Sequence, residues 1–202
     1  MDADTLKHAN QQTARHDGDA KTIFGFWVYL MTDCILFASL FATYAVLRNN
    51  TYGGPGADEL FSLPFVLIET IFLLTSSFVC GLAMLAMHRR NKDMTLILLA
   101  ITALLGLAFL ALELAEFSHL ATTGDSWQRS GFLSAFFTLV GTHGLHITVG
   151  LIWVFTMMAQ LIKRGFTHGV MRRLTLFSLF WHFLDIIWIF IFTIVYLLGA
   201  VG

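Results

Sequence analysis

The sequence predicts an all-α integral membrane protein of five transmembrane helices, with the N-terminus in the cytoplasm and the C-terminus outside. Three observations carry this. Of 202 residues, 57% are hydrophobic and 12% charged, with a mean hydropathy of +0.74; soluble domains run at roughly 45–50% apolar and 25% charged. Five apolar stretches, at 24–47, 62–87, 94–119, 131–161 and 174–200, each exceed the ~20 residues that cross a ~30 Å hydrocarbon core, and none carries a proline at its centre. Ten of the twelve Lys and Arg residues fall on one side of that arrangement, the side the positive-inside rule assigns to the cytoplasm.

The chain therefore divides into a polar cytoplasmic tail, 1–22, and a five-helix membrane domain, 23–202. The tail is mixed in charge and leads directly into a full-length span, so no cleavable signal is expected and Met1–Thr22 reads as loosely ordered. Trp27 marks the cytoplasmic interface of the first span, and Asp33 lies ~14 Å along it, near mid-membrane. Pro55 and Pro64 mark the loop 48–61 and the entry to the second span, which holds Glu69. Arg89, Arg90 and Lys92 follow on the cytoplasmic side. The third span holds Glu113 and Glu116 near its outer end, and Trp127 belongs to the outer interface. The fourth, the longest, has His143 and His146 at its centre, beside Gly141, Gly144 and Gly150. After Lys163, Arg164, Arg172 and Arg173, the fifth span places His182 and Asp185 centrally. The acids and histidines thus read as two layers: a central one, and an outer one made of Glu69, Glu113 and Glu116.

A net charge of −1, with no basic run and no Gly-rich phosphate loop, excludes a nucleic-acid or nucleotide footprint. Cys34 and Cys80 have no CxxC partner and read as small packing residues. There is no internal repeat, and an odd helix count argues against a simple inverted-repeat transporter.

Ionisable side chains at membrane depth cost a few kcal/mol or more unless they are paired, so each calls for an account. The pairs Glu113–Glu116, His143–His146 and His182–Asp185 are spaced i,i+3, which puts both members on one helix face. One account is a metal or haem site, since carboxylates and imidazoles from several helices are the donors that di-iron bundles and haem proteins use. Di-iron bundles use a Glu-x-x-His pair on each of two helices, however, and this sequence has a single one, Glu116–His119. A second account is a proton or ion path, with Asp33, Glu69 and the histidines as relays. The third, preferred for most of these residues, is packing: interhelical hydrogen bonds in hydrocarbon are worth ~0.6–2 kcal/mol each. Arg89, Arg90, Arg172 and Arg173 set topology and are candidates for anionic lipid head groups.

GFLSAFFTLVGTHGLHITVGLIW (131–153) and LFWHFLDIIWIF (179–190) resemble the fourth and fifth helices of the short form of subunit III of the haem–copper terminal oxidases. GFWVYLMTDCILFASLFATYAVL (25–47) resembles its first helix. The resemblance runs from about Lys21 to the C-terminus and is closest to the ubiquinol-oxidising, cytochrome o branch. It implies a non-redox subunit of a proton-pumping complex in the bacterial inner membrane. Haem and copper would sit in subunit I, the main contact, with subunits II and IV alongside. Ubiquinol would be the complex's substrate, and phospholipid would be bound between helices. No cofactor or metal is expected on this chain, and none of its residues is expected to be catalytic. Asp33 stands where many cytochrome c oxidase relatives have glutamate, and is the candidate for a link to proton uptake. Glu69, Glu113, Glu116, His143, His146, His182 and Asp185 are expected to pack helices or touch lipid. Subunit III of a cytochrome c oxidase is the nearest alternative; a free-standing proton channel or a membrane metalloenzyme lies further off.

Overall fold

The computed structural model describes residues 3–51, 63–122 and 129–201. Every regular element among them is helical. Helix α1 spans Ala3–Leu47, α2 Leu63–His88, α3 Lys92–Thr122, α4 Gly131–Arg164 and α5 His168–Ile191. The last passes into a π-helical turn, Phe192–Leu197, and a final turn, Leu198–Val201. Five stretches are long and apolar enough to cross a membrane: Ala20–Leu47, Leu63–His88, Lys92–Leu120, Gly131–Arg164 and His168–Leu197. Pro55 and Trp127 lie outside the described residues.

The first helix starts earlier than its apolar stretch. It continues back to Ala3 through the polar segment that reads as loosely ordered chain. No proline interrupts residues 3–47, and once a membrane span has nucleated a helix, each further residue adds one hydrogen bond at little cost.

The chain forms two compact units, divided within α1 between Leu36 and Phe37. The first is helical, and in it the Tyr29 hydroxyl bonds Asp33 one turn on. The second contains Phe37–Leu47 and the remaining helices. In it α2 packs on α3, α3 on α4, α4 on α5 and α5 back on α2, which closes a ring of four. Short connections require this: Asn91 caps α3 through Met94 N–H (3.2 Å) after a turn of three residues, and Thr167 caps α5 through Val170 N–H (3.4 Å). Arg90 closes α2 at φ 55°, and its N–H donates to Met87 O while that of Asn91 donates to Ala86 O. Arginine in this left-handed turn conformation is uncommon; glycine is usual there.

Buried residues recur at helical spacing along α4: Phe132, Phe136, Leu139, His143, Ile147, Gly150 and Val154. Large apolar side chains such as Phe78, Leu104, Leu145 and Ile152 face outward instead. An outer surface of this kind is suited to hydrocarbon, and the chain is a multi-pass membrane protein.

At the centre of the ring, Trp181 lies between two glycines. A Cβ on Gly106 would stand 2.8 Å from its ring, and one on Gly150 2.9 Å. Its indole N–H donates to Ser76 Oγ at 3.0 Å, so the ring is held on a third side. Gly106→Ala or Gly150→Ala should therefore overpack the core by about 1–3 kcal/mol, lowering the thermal midpoint in detergent. Gly81→Ala, whose Cβ would meet nothing within 4 Å, is the neutral control. Equal midpoints for all three variants would refute the clamp.

Candidate functional site

Two polar groups are built by helices α2 to α5. The first draws on three helices and the π-helical turn. Glu69 of α2 is fully buried, as is His143 of α4, and Glu113 of α3 nearly so. None of their side-chain oxygens or nitrogens has a hydrogen-bond partner among the described residues. Glu113 lies against the backbone of α4: a Cβ on Gly144 would fall 2.6 Å from Glu113 Oε1. Glu116, one turn on, accepts a hydrogen bond from the Tyr196 hydroxyl at 3.0 Å. Glu69, Glu113, Glu116 and Tyr196 are close enough to interact electrostatically.

The expected outer group of Glu69, Glu113 and Glu116 does come together, but it is not set far from the central histidines. Glu113 reaches the level of Gly144, the neighbour of His143, rather than lying apart in an outer layer. The glutamate stem is long, and the missing Cβ of Gly144 lets its carboxyl lie against the α4 backbone. Helix α3 itself runs on to Thr122, beyond the expected end at 119.

His143 is enclosed by aromatic rings. Trp188 stacks on it (5.3 Å between centroids, 29° between planes), and Phe109 and Phe37 meet it edge-on at 5.9 and 6.4 Å. His146, on the same face, packs at 5.3 Å on Phe37 and shares a hydrogen bond with the Thr142 carbonyl of its own helix. Tyr196 owes its place to the π turn, in which Leu198 N–H bonds Thr193 O, five residues back. Widening the helix there buries both Val195 and Tyr196. The Tyr44 hydroxyl reaches the Val195 carbonyl at 3.5 Å.

The second group lies between α2 and α5. Ser77 shares a 2.6 Å hydrogen bond with His182 Nδ1 and also bonds Asp185. The i,i+3 pair of α5 is thus joined through a serine of another helix. These three residues form the floor of an open groove of about 360 Å³ walled by Leu74, Phe78 and Leu82. Nearby, Trp188 Nε1 donates to Thr70 Oγ1 at 3.0 Å, and the Thr70 hydroxyl donates to Val66 O. Ser76 passes the bond it accepts from Trp181 on to Thr102 O, at 3.1 Å. Neither the serines nor Thr70 stood out in the sequence. Their only signal is hydroxyls recurring at helical spacing, 70, 76 and 77, along an otherwise apolar helix, a pattern that also fits side chains bonding their own backbone.

The three i,i+3 pairs do not converge. Glu113 lies against Gly144 and Glu116 bonds Tyr196, whereas His182–Asp185 turns to Ser77. Among the described residues, no three His, Cys, Asp or Glu side chains are placed to hold one metal ion. A haem held by His143 and His182 does not fit, because Phe37, Phe109 and Trp188 close around the fully buried His143. Asp33, in the first unit, is almost fully buried, at 7% exposure. Among the arginines, Arg89 lines a groove of about 430 Å³ with Asn91, Leu82, Leu85, Met94 and Leu98. Arg90 is exposed, Arg172 half-buried, and Arg173 donates to Gln160 Oε1 at 2.9 Å.

Residues 6–200 match the family described as cytochrome c oxidase subunit III. The chain is 57% identical over 185 residues to cytochrome bo(3) ubiquinol oxidase subunit 3 of Pseudomonas putida, covering 92% of this chain and 89% of the relative. To the protein of the same name from Pseudomonas aeruginosa it is 52% identical over 198 residues, covering 98% and 95%. It is also 45% identical over 204 residues to cytochrome c oxidase subunit 3 of Bacillus sp. (strain PS3), covering 100% and 97%.

Ser77→Ala and His182→Leu should each loosen α2 from α5. In a double-mutant cycle on detergent stability the two should couple by about 0.6–2 kcal/mol. Strictly additive effects would show that the bond contributes nothing to packing.

Proposed function

The chain belongs to the cytochrome c oxidase subunit III family, and on that premise we propose that it is the non-redox subunit III of a proton-pumping terminal ubiquinol oxidase. The observation that carries the quinol branch is the 57% identity to a bo(3) ubiquinol oxidase subunit 3 along almost the whole chain. The complex oxidises ubiquinol, reduces oxygen to water and moves protons outward. This chain stabilises the catalytic subunit and supports proton entry. Cytochrome c oxidase subunit III is the second reading, favoured by the full-length match to the Bacillus protein.

In this reading the haems and copper are held by subunit I, which is the main contact, with subunits II and IV completing the complex. The chain lies in the bacterial inner membrane, with the tail 1–22 and Arg89, Arg90, Arg172 and Arg173 on the cytoplasmic side. Arg89 and its apolar trough would then hold a phospholipid, with the phosphate on the guanidinium and an acyl chain along Leu82 and Leu85. Asp33 is the proton-linked candidate, as a buried acid in the helix nearest the tail.

Purification of this chain in mild detergent should bring haem absorbance and a larger, many-helix subunit with it. A colourless chain recovered alone at full yield would refute the reading and favour a free-standing channel. Asp33→Asn should leave the complex assembled while slowing proton uptake or shortening the number of turnovers before inactivation. Unchanged pumping and unchanged inactivation would remove Asp33 from any proton role.

A further inference from the structure

The acid group of α2, α3 and the π turn is not explained by packing alone. A hydroxyl that links helices, such as Thr70 or Ser76, makes two bonds here. Glu69 and Glu113 make none among the described residues, although each is at most 2% exposed and together they bury four carboxyl oxygens. Such atoms ordinarily find a protein partner or ordered water, because leaving them bare costs about 1–3 kcal/mol per group or more.

Direct pairing is not what the geometry offers. Glu69, Glu113 and Glu116 lie within electrostatic range of one another, yet no three acid or histidine groups close on one point as metal ligands would. Polar groups that lie within electrostatic range and make no direct hydrogen bond are commonly joined by a bridging water. A buried water commonly makes about three hydrogen bonds, and the carboxyls, with the Tyr196–Glu116 pair beside them, supply that number. Gly144 closes the α4 side, where any larger residue would expel the Glu113 carboxyl. The titratable groups around this place are Glu69 from α2, Glu113 and Glu116 from α3, Tyr196 from the π turn and, next to Gly144, His143 from α4; Tyr44 of α1 reaches the adjoining Val195 carbonyl.

We propose that Glu69, Glu113, Glu116 and Tyr196 form a water-binding site inside the bundle, closed by Gly144 and bordered by His143. Its ligand is water, held at membrane depth by side chains from three elements and able to exchange protons with them. The site belongs to this chain's own core and does not depend on which electron donor the complex uses.

Electron cryomicroscopy of the purified full chain, with whatever subunits accompany it, tests this at a resolution where ordered water is visible. Density within hydrogen-bond distance of both Glu69 and Glu113 is expected. Carboxyls in direct contact, or no density there while other buried waters are resolved, would overturn the site. As a second readout, the infrared difference between the wild type and Glu113→Gln should contain a Glu113 signal that shifts on transfer to D₂O. A Glu113 signal that stays in place after prolonged exchange would mean a dry pocket and would also overturn it. Glu113→Gln keeps the side-chain volume, so the variant is expected to fold.

Discussion

Hydrocarbon offers no hydrogen bonds, and that constraint organises this molecule. Each polar side chain on an apolar helix must meet another inside the bundle or satisfy its own backbone. The tryptophans of α5 show how this is met. Trp181 and Trp188 direct their indole N–H groups at Ser76 and Thr70 of α2, at 3.0 Å each. They fill the centre between α3 and α4 with their rings. Glycines at 106 and 150 make room for one, and Phe109 and His143 flank the other. The α2–α5 contact that closes the ring thus rests on two donors that would otherwise be bare.

The same constraint separates the polar residues by role. Hydroxyls and indoles are neutral, and a single neighbour satisfies them. The carboxyls of Glu69 and Glu113 have more acceptor capacity than their surroundings fill, and a bundle held together only by packing has no need of them. Their presence at the joint of α2, α3, α4 and the π turn marks this place as different from the rest of the core. A π turn there is informative in its own right. It brings Tyr196 to Glu116 and places a backbone carbonyl within reach of Tyr44, and such turns recur at functional positions in helices.

Much of the arrangement was legible from residue patterns. The helix count, the apolar faces and the shared faces of the i,i+3 pairs follow from period and length alone. Partnership was not legible. His182 and Asp185 look like a pair along one helix, yet Ser77 joins them across to another, and nothing in the local sequence of α2 announces that. Glu113 looks remote from His143 if depth is counted from the apolar boundaries. Its long side chain and the missing Cβ of Gly144 nevertheless bring its carboxyl against α4.

The sequence by itself determined that this is a five-helix membrane protein, which family it belongs to, and which ionisable residues lie inside the spans. These depend on composition, period and motif, all of them local or additive properties of the chain. Only the tertiary structure decided which of those residues meet. Contact depends on the stagger and rotation of whole helices, and those are set by where a tryptophan finds a glycine opposite it.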